Sequence, residues 1–124
     1  ANIINEGSSE IVILNFGTLL NEANQISKEL KATLVDMRFV KPLDEKLLRK
    51  LFKKAKVFIS IEDGSIMGGA GSAVQEFASK ENLNVRSILF GIPDKFIDHA
   101  SREEMLVEAG LDIENIKSKL SKLL

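Results

Sequence analysis

The residues with the greatest chemical potential stand in one run, Glu62-Asp63-Gly64-Ser65-Ile66-Met67-Gly68-Gly69-Ala70-Gly71-Ser72. Two carboxylates end an apolar segment, and a cluster of glycines follows. Glycines at a strand-to-helix turn permit positive φ and close backbone approach. The free N–H groups at a helix start attract anions. Two readings of Gly68, Gly69, Gly71 and Ser72 stay open: a tight packing or interface turn, which is favoured, and an anion-binding cradle. The nucleotide motifs fit poorly. A phosphate loop ends in Gly-Lys-Ser/Thr, and no lysine follows Gly71. A dinucleotide fingerprint closes on glycine or alanine, where this chain has Val74.

Glu62 can serve as an acid or base if burial raises its pKa. Glu62 and Asp63 are neighbours at a strand end, however, so their side chains point to opposite faces and do not cooperate. A polar turn or interface contact is therefore the expectation for both. His99 is the only histidine. A lone histidine cannot form a multi-histidine metal site, and no Gly-x-Ser-x-Gly elbow accompanies it. It reads as a structural or hydrogen-bonding side chain. Asp36, Arg38 and Lys41 gather where another apolar run ends, and Asp36 and Arg38 are spaced to share a face and pair.

These residues need elements to hold them. Ile11–Leu14, Ala32–Met37, Val57–Ile61 and Val85–Phe90 are short apolar runs of the kind that form strands buried on both faces. Asn2–Ile4 reads as an extra edge strand. Helical stripes lie between the runs. The first holds Leu19, Leu20, Ala23, Ile26 and Leu30; the second Leu47, Leu48, Leu51, Phe52 and Ala55; the third Ala70, Ala73, Val74, Phe77 and Ala78. Asp44 is placed to cap the second helix after Pro42, with Leu43 stapled onto Leu48. That helix presents Lys46, Arg49, Lys50, Lys53 and Lys54 outward, a pattern read as a solvated face ahead of a phosphate or partner contact. Ser101 and Glu104 form a capping box for a further helix ending near Gly110. Asp112 caps a last one carrying Ile113, Ile116, Leu120 and Leu123. Strand alternating with helix implies a parallel sheet with crossover helices.

The length of 124 residues suits one domain, residues 1–124, and 44% apolar residues can build its core. A net charge of -1 gives no general pull toward nucleic acid or an anionic membrane. The absence of cysteine excludes disulfides, thiolate metal sites and a cysteine nucleophile, and suits a cytoplasmic protein. No apolar run is long enough to span a bilayer. The start at Ala1, not methionine, suggests a piece of a longer protein.

At this point several blocks resemble one family. Ile13–Leu19, Ala32–Asp44, the Glu62-Asp63-Gly64 and Met67–Ser72 pieces, Gly91–Ile97 and Gly110-Leu111-Asp112 are similar, in order and at compatible spacing, to the C-terminal domain of the 1-deoxy-D-xylulose-5-phosphate synthases. The resemblance implies a three-layer α/β/α sandwich of the transketolase C-terminal type. Its sheet would be five-stranded and mostly parallel, with one antiparallel edge strand supplied by Asn2–Ile4. It also implies a parent transferase dependent on thiamine diphosphate and Mg²⁺. That enzyme joins pyruvate to glyceraldehyde 3-phosphate with loss of CO2, feeding isoprenoid, thiamine and pyridoxal phosphate synthesis. In that family the catalytic machinery lies in the preceding domains, and the Gly-Asp-Gly magnesium motif is absent here. No catalytic, cofactor-binding or metal-binding residue is therefore carried over, and the fragment alone is expected to be inactive. What carries over is packing against the preceding domains of the same polypeptide and support of a homodimer, with no nucleic acid or membrane partner. His99 matches the family and leans toward an interface role, although Ala100 follows it where glycine is usual. Two other readings remain: a small-molecule or phosphate-binding regulatory module, and the equivalent domain of a transketolase or a 2-oxo acid dehydrogenase beta subunit.

Overall fold

The computed structural model describes residues 1–38, 43–62, 69–91 and 113–123. In chain order its elements are β1 (Asn2–Asn5), β2 (Ile11–Phe16), α1 (Leu20–Leu30), β3 (Thr33–Asp36), α2 (Glu45–Phe52), β4 (Val57–Glu62), α3 (Ala70–Lys80), β5 (Arg86–Gly91) and α4 (Ile113–Leu123). The expected strands are all present. Their ends differ by one or two residues, because backbone pairing, not side-chain apolarity, decides where a ladder stops. The helix expected after Ser101 lies outside the described residues, as do Asp112 and Lys41.

The strands form one sheet in the order β1-β3-β2-β4-β5. β1 runs antiparallel to β3, with Asn2 opposite Asp36 and Ile3 opposite Val35. The other pairs are parallel. The chain steps one way from β2 to β3 through α1, then back past β2 to β4 through α2, and on to β5 through α3. Right-handed crossovers require helices on opposite faces when the direction of travel reverses, and the packing obeys this. One core joins Ile13, Leu34, Ile59, Ile61, Ile88 and Phe90 to Ala23 and Ile26 of α1 and Ile116 and Leu120 of α4. The other joins Val12, Leu14, Phe16, Val35 and Phe58 to Leu48 and Phe52 of α2 and Val74, Phe77 and Ala78 of α3. The result is a three-layer α/β/α sandwich.

Alternation along each strand produces the two cores, since odd and even residues of β2 and β4 face opposite layers. Each fully buried Leu, Ile or Phe contributes about 1.5–3 kcal/mol of burial. The rings of Phe52 and Phe58 stack with centroids 5.2 Å apart, fixing α2 on β4. Asp44 caps α2 as expected, accepting the Leu47 N–H at 3.2 Å, and Leu43 packs against the same core as Leu48. On the other face Lys117 of α4 pairs with Glu29 of α1 at 2.8 Å.

Candidate functional site

The direction of travel reverses between β2 and β4, and the carboxyl ends of strands at such a point are the usual place for a ligand in an open α/β sheet. Gly69, Gly71, Ser72 and Glu62 are described there; Gly68, Asp63 and His99 lie outside the described residues.

Glu62 is the last residue of β4, half-buried, on the face covered by α3. Its Oε2 accepts the backbone N–H of Gly71 at 3.2 Å. Gly69 precedes the helix with φ of 95°, a left-handed conformation that side chains rarely adopt, and it has no side chain to cap with. The chain therefore closes this helix start with a carboxylate from the strand before it. Such a contact satisfies an orphan donor and places negative charge at the positive end of the helix. It also takes a position that an external phosphate would need, and a second anion would meet like charge.

Gly71 has a further reason to be glycine. A Cβ built there would lie 2.5 Å from Ser60 Oγ and 2.8 Å from Leu89 Cδ2. The first turn of α3 thus rests directly on β4 and β5. Ser72 points outward and is exposed. Of the expected cluster, Glu62 and Gly71 are in contact, Gly69 sets the turn, and Ser72 faces solvent.

Two polar residues near this end escaped the reading of the sequence. Asn15 and Ser60 are fully buried. Asn15 Nδ2 donates to the Gly17 carbonyl at 3.2 Å, while Asn15 Oδ1 and Ser60 Oγ have no hydrogen-bond partner among the described residues. A buried polar atom left unpaired costs about 1–3 kcal/mol. The only signal in the sequence was a polar residue interrupting each of two apolar runs, Ile11–Phe16 and Val57–Ile61.

Two other candidates make contacts within the fold. Arg38 pairs with Asp36 at 3.9 Å. Arg38 lies beyond β3 with φ of 62°, so a turned backbone brings the two together, not a shared strand face. The basic face of α2 is exposed, and its Arg49 bonds Glu81 at 2.5 Å while lying 5.4 Å over the Phe77 ring. That arginine bridges α2 and α3. A groove of about 1020 Å³ lies away from the glycine-rich helix start. It opens at the amino ends of β2 and β4, between the Gly7–Glu10 loop and the end of α2, with Lys50, Lys53 and Lys54 on one wall. Among the described residues no group of three or more His, Cys, Asp or Glu side chains is placed to hold a metal ion, and no helix is long and apolar enough to cross a membrane.

The family model for the transketolase C-terminal domain matches residues 1–116. The chain is similar to 1-deoxy-D-xylulose-5-phosphate synthase of Blochmanniella floridana, with 49% identity over 95% of this chain and 19% of that protein. It is similar to the synthase of Pectobacterium atrosepticum at 45% identity, over 97% of this chain and 19% of the relative. The Francisella tularensis subsp. novicida synthase is 44% identical over 100% of this chain and 20% of its own length. The chain thus spans about a fifth of the length of these relatives. Among solved structures, a split-gene transketolase described as an inactive beta4 tetramer superposes with a TM-score of 0.78 and 26% identity, over 98% of this chain and 41% of that one.

Proposed function

Given that this chain belongs to the transketolase C-terminal domain family, we propose that residues 1–124 are the C-terminal domain of a 1-deoxy-D-xylulose-5-phosphate synthase. The observation that carries this reading is identity of 43–49% to such synthases over nearly the whole chain. The transketolase match, at 26%, is weaker and favours the fold over the transketolase reaction. The complete polypeptide would be a cytoplasmic, dimeric transferase. It would use thiamine diphosphate and Mg²⁺ to condense pyruvate with glyceraldehyde 3-phosphate, releasing CO2, for isoprenoid and thiamine synthesis.

Within that enzyme the present domain packs and positions, and the chemistry belongs to the rest of the polypeptide. The described residues fit the cofactor poorly. They offer no cluster of metal ligands, and the Gly71 amide, the donor a diphosphate oxygen would need, already bonds Glu62. No step of the reaction is assigned to this chain. Glu62, Gly68, Gly69, Gly71, Ser72 and His99 are proposed as an interface and packing set, with a phosphate-binding role as the alternative.

The test is an assay with pyruvate and glyceraldehyde 3-phosphate on the complete polypeptide and on residues 1–124 alone. The expected result is product from the former and none from the latter. Turnover by the 124-residue chain would overturn the proposal. Ketol transfer between sugar phosphates by the complete polypeptide, without use of pyruvate, would replace the synthase with a transketolase.

A further inference from the structure

The groove at the amino ends of β2 and β4 carries more positive charge than the fold uses. Basic residues in the last turn of a helix are ordinary, because they offset the negative end of its dipole. Around α2, Arg49 pairs with Glu81, and Lys56 pairs with Glu10 at 3.2 Å. Lys50, Lys53 and Lys54 are exposed and form no ion pair among the described residues. Lys53 and Lys54 follow Lys50 by three and four residues, a spacing that brings like charges together at a helix end. Four lysines and two glutamates line the groove, although the whole chain has a net charge of -1. With Glu10 taken by Lys56, three ammonium groups stand against Glu6 alone.

The wall facing the lysines is fixed by backbone bonds. The Gly7 N–H donates to Thr33 Oγ1 at 3.0 Å. The Ser9 amide and hydroxyl both donate to the Lys31 carbonyl, at 2.9 and 2.8 Å. A preformed wall lowers the cost of ordering a site around its ligand. Ser8, exposed between these anchors, adds a free hydroxyl to that wall. The floor is apolar, with Val12, Leu51 and Leu83. At about 1020 Å³ the groove is far larger than an inorganic anion and reaches the upper end of small-molecule sites.

An apolar floor beneath a cationic wall suits a ligand with the same two parts. Lysine is a point charge well matched to phosphate. A phosphate monoester carries close to two negative charges at neutral pH, a better counterpart to three ammonium groups than one carboxylate. We propose that this groove binds a small organic phosphate, its phosphoryl group held by Lys50, Lys53 and Lys54 and its carbon body seated on Val12, Leu51 and Leu83. The site uses residues of this chain alone, so it stands whether or not the complete polypeptide is a synthase.

The test is the rate at which each lysine of the complete polypeptide is acetylated by an N-hydroxysuccinimide ester, read by peptide-resolved mass spectrometry at constant ionic strength. Each rate belongs to one side chain, so a phosphate bound elsewhere on the polypeptide does not mimic the result. The probes are phenyl phosphate, inorganic phosphate and phenol. Lys46 and Lys80, exposed and outside the groove, are the references. Phenyl phosphate should slow Lys50, Lys53 and Lys54 saturably, roughly fourfold at about 3 mM for a Kd of about 1 mM. Lys46 and Lys80 should be unchanged, inorganic phosphate should protect less, and phenol should protect nothing. In Lys50→Gln/Lys54→Gln, phenyl phosphate should no longer slow Lys53. No protection by phenyl phosphate overturns the proposal, and so does equal slowing of Lys46 and Lys80. Equal protection by inorganic phosphate removes the role of the apolar floor and overturns it as stated. Protection of Lys53 retained in the double variant overturns it too. Groove lysines already unreactive before ligand is added do the same, since the groove is then covered. Protection by anionic phospholipid vesicles that extends to Lys46 would replace the small phosphate with a membrane surface.

Discussion

Two helices on the same face of the sheet begin with a carboxylate, and they acquire it differently. At α2 the cap is local: Asp44 sits immediately before the helix and accepts the Leu47 N–H at 3.2 Å. At α3 the residue before the helix is Gly69, which has no side chain, and the acceptor is Glu62 at the end of β4, bonding the Gly71 N–H at the same 3.2 Å. The first cap closes one helix. The second also ties helix to strand across a turn, because the same carboxylate belongs to the sheet. The α3 start is thus part of the packing between layers, whereas the α2 start can be altered with little effect on its neighbours.

The largest test of this contrast is Gly71→Val. The added atoms meet Ser60 and Leu89 at distances no real contact tolerates, so those two side chains must turn away or α3 must lift from the sheet. Overpacking of this kind costs about 1–3 kcal/mol, and the loss of Tm should exceed that of any cap variant. A Tm within a degree of the parent chain would show that α3 does not depend on the close approach.

Next come the caps. Asp44→Ala and Glu62→Ala should each cost about 1 kcal/mol in chemical denaturation, as cap removals do. They differ in reach. Hydrogen exchange should quicken only in the first turn of α2 for Asp44→Ala, but in both the α3 start and the end of β4 for Glu62→Ala. Identical local patterns would erase the distinction between the two helix starts.

The smallest effect expected is for Arg49→Met. Its pair with Glu81 is solvent-exposed, and such pairs contribute about 0–1 kcal/mol. Added salt should shrink the difference from the parent chain. A loss larger than that of Glu62→Ala would mean that the α2–α3 bridge, not the strand carboxylate, holds α3 in place.

The same contrast explains what the sequence revealed. Asp44 was legible because its partner is three residues away, and capping has a short-range signature. The strands were legible because β2, β4 and their neighbours carry short, largely apolar runs. The helices were legible from stripes such as Leu48 with Phe52, whereas the three-layer sandwich came from the family resemblance. Glu62 was recognised as a polar turn residue, but its bond to Gly71 spans a turn whose path no local pattern fixes. Gly71 was read as part of a tight packing turn but without its partners, since Ser60 and Leu89 reach it only after β4 and β5 have paired. The buried Asn15 was missed because nothing in an apolar run says that its one polar member stays inside. Conversely, the apolar pair Ile3 and Ile4 marked a strand correctly and left its exposure to be found in three dimensions.

We propose that the start of α3 is closed from within by Glu62 and serves packing ahead of anion binding. Amide chemical shifts of Gly69–Ala73 followed during titration of residues 1–124 with inorganic phosphate and diphosphate test it most directly. The account predicts no saturable shift through millimolar ligand. Saturable movement of the Gly71 amide in the unaltered chain would contradict it, by showing that an external anion displaces the Glu62 carboxylate.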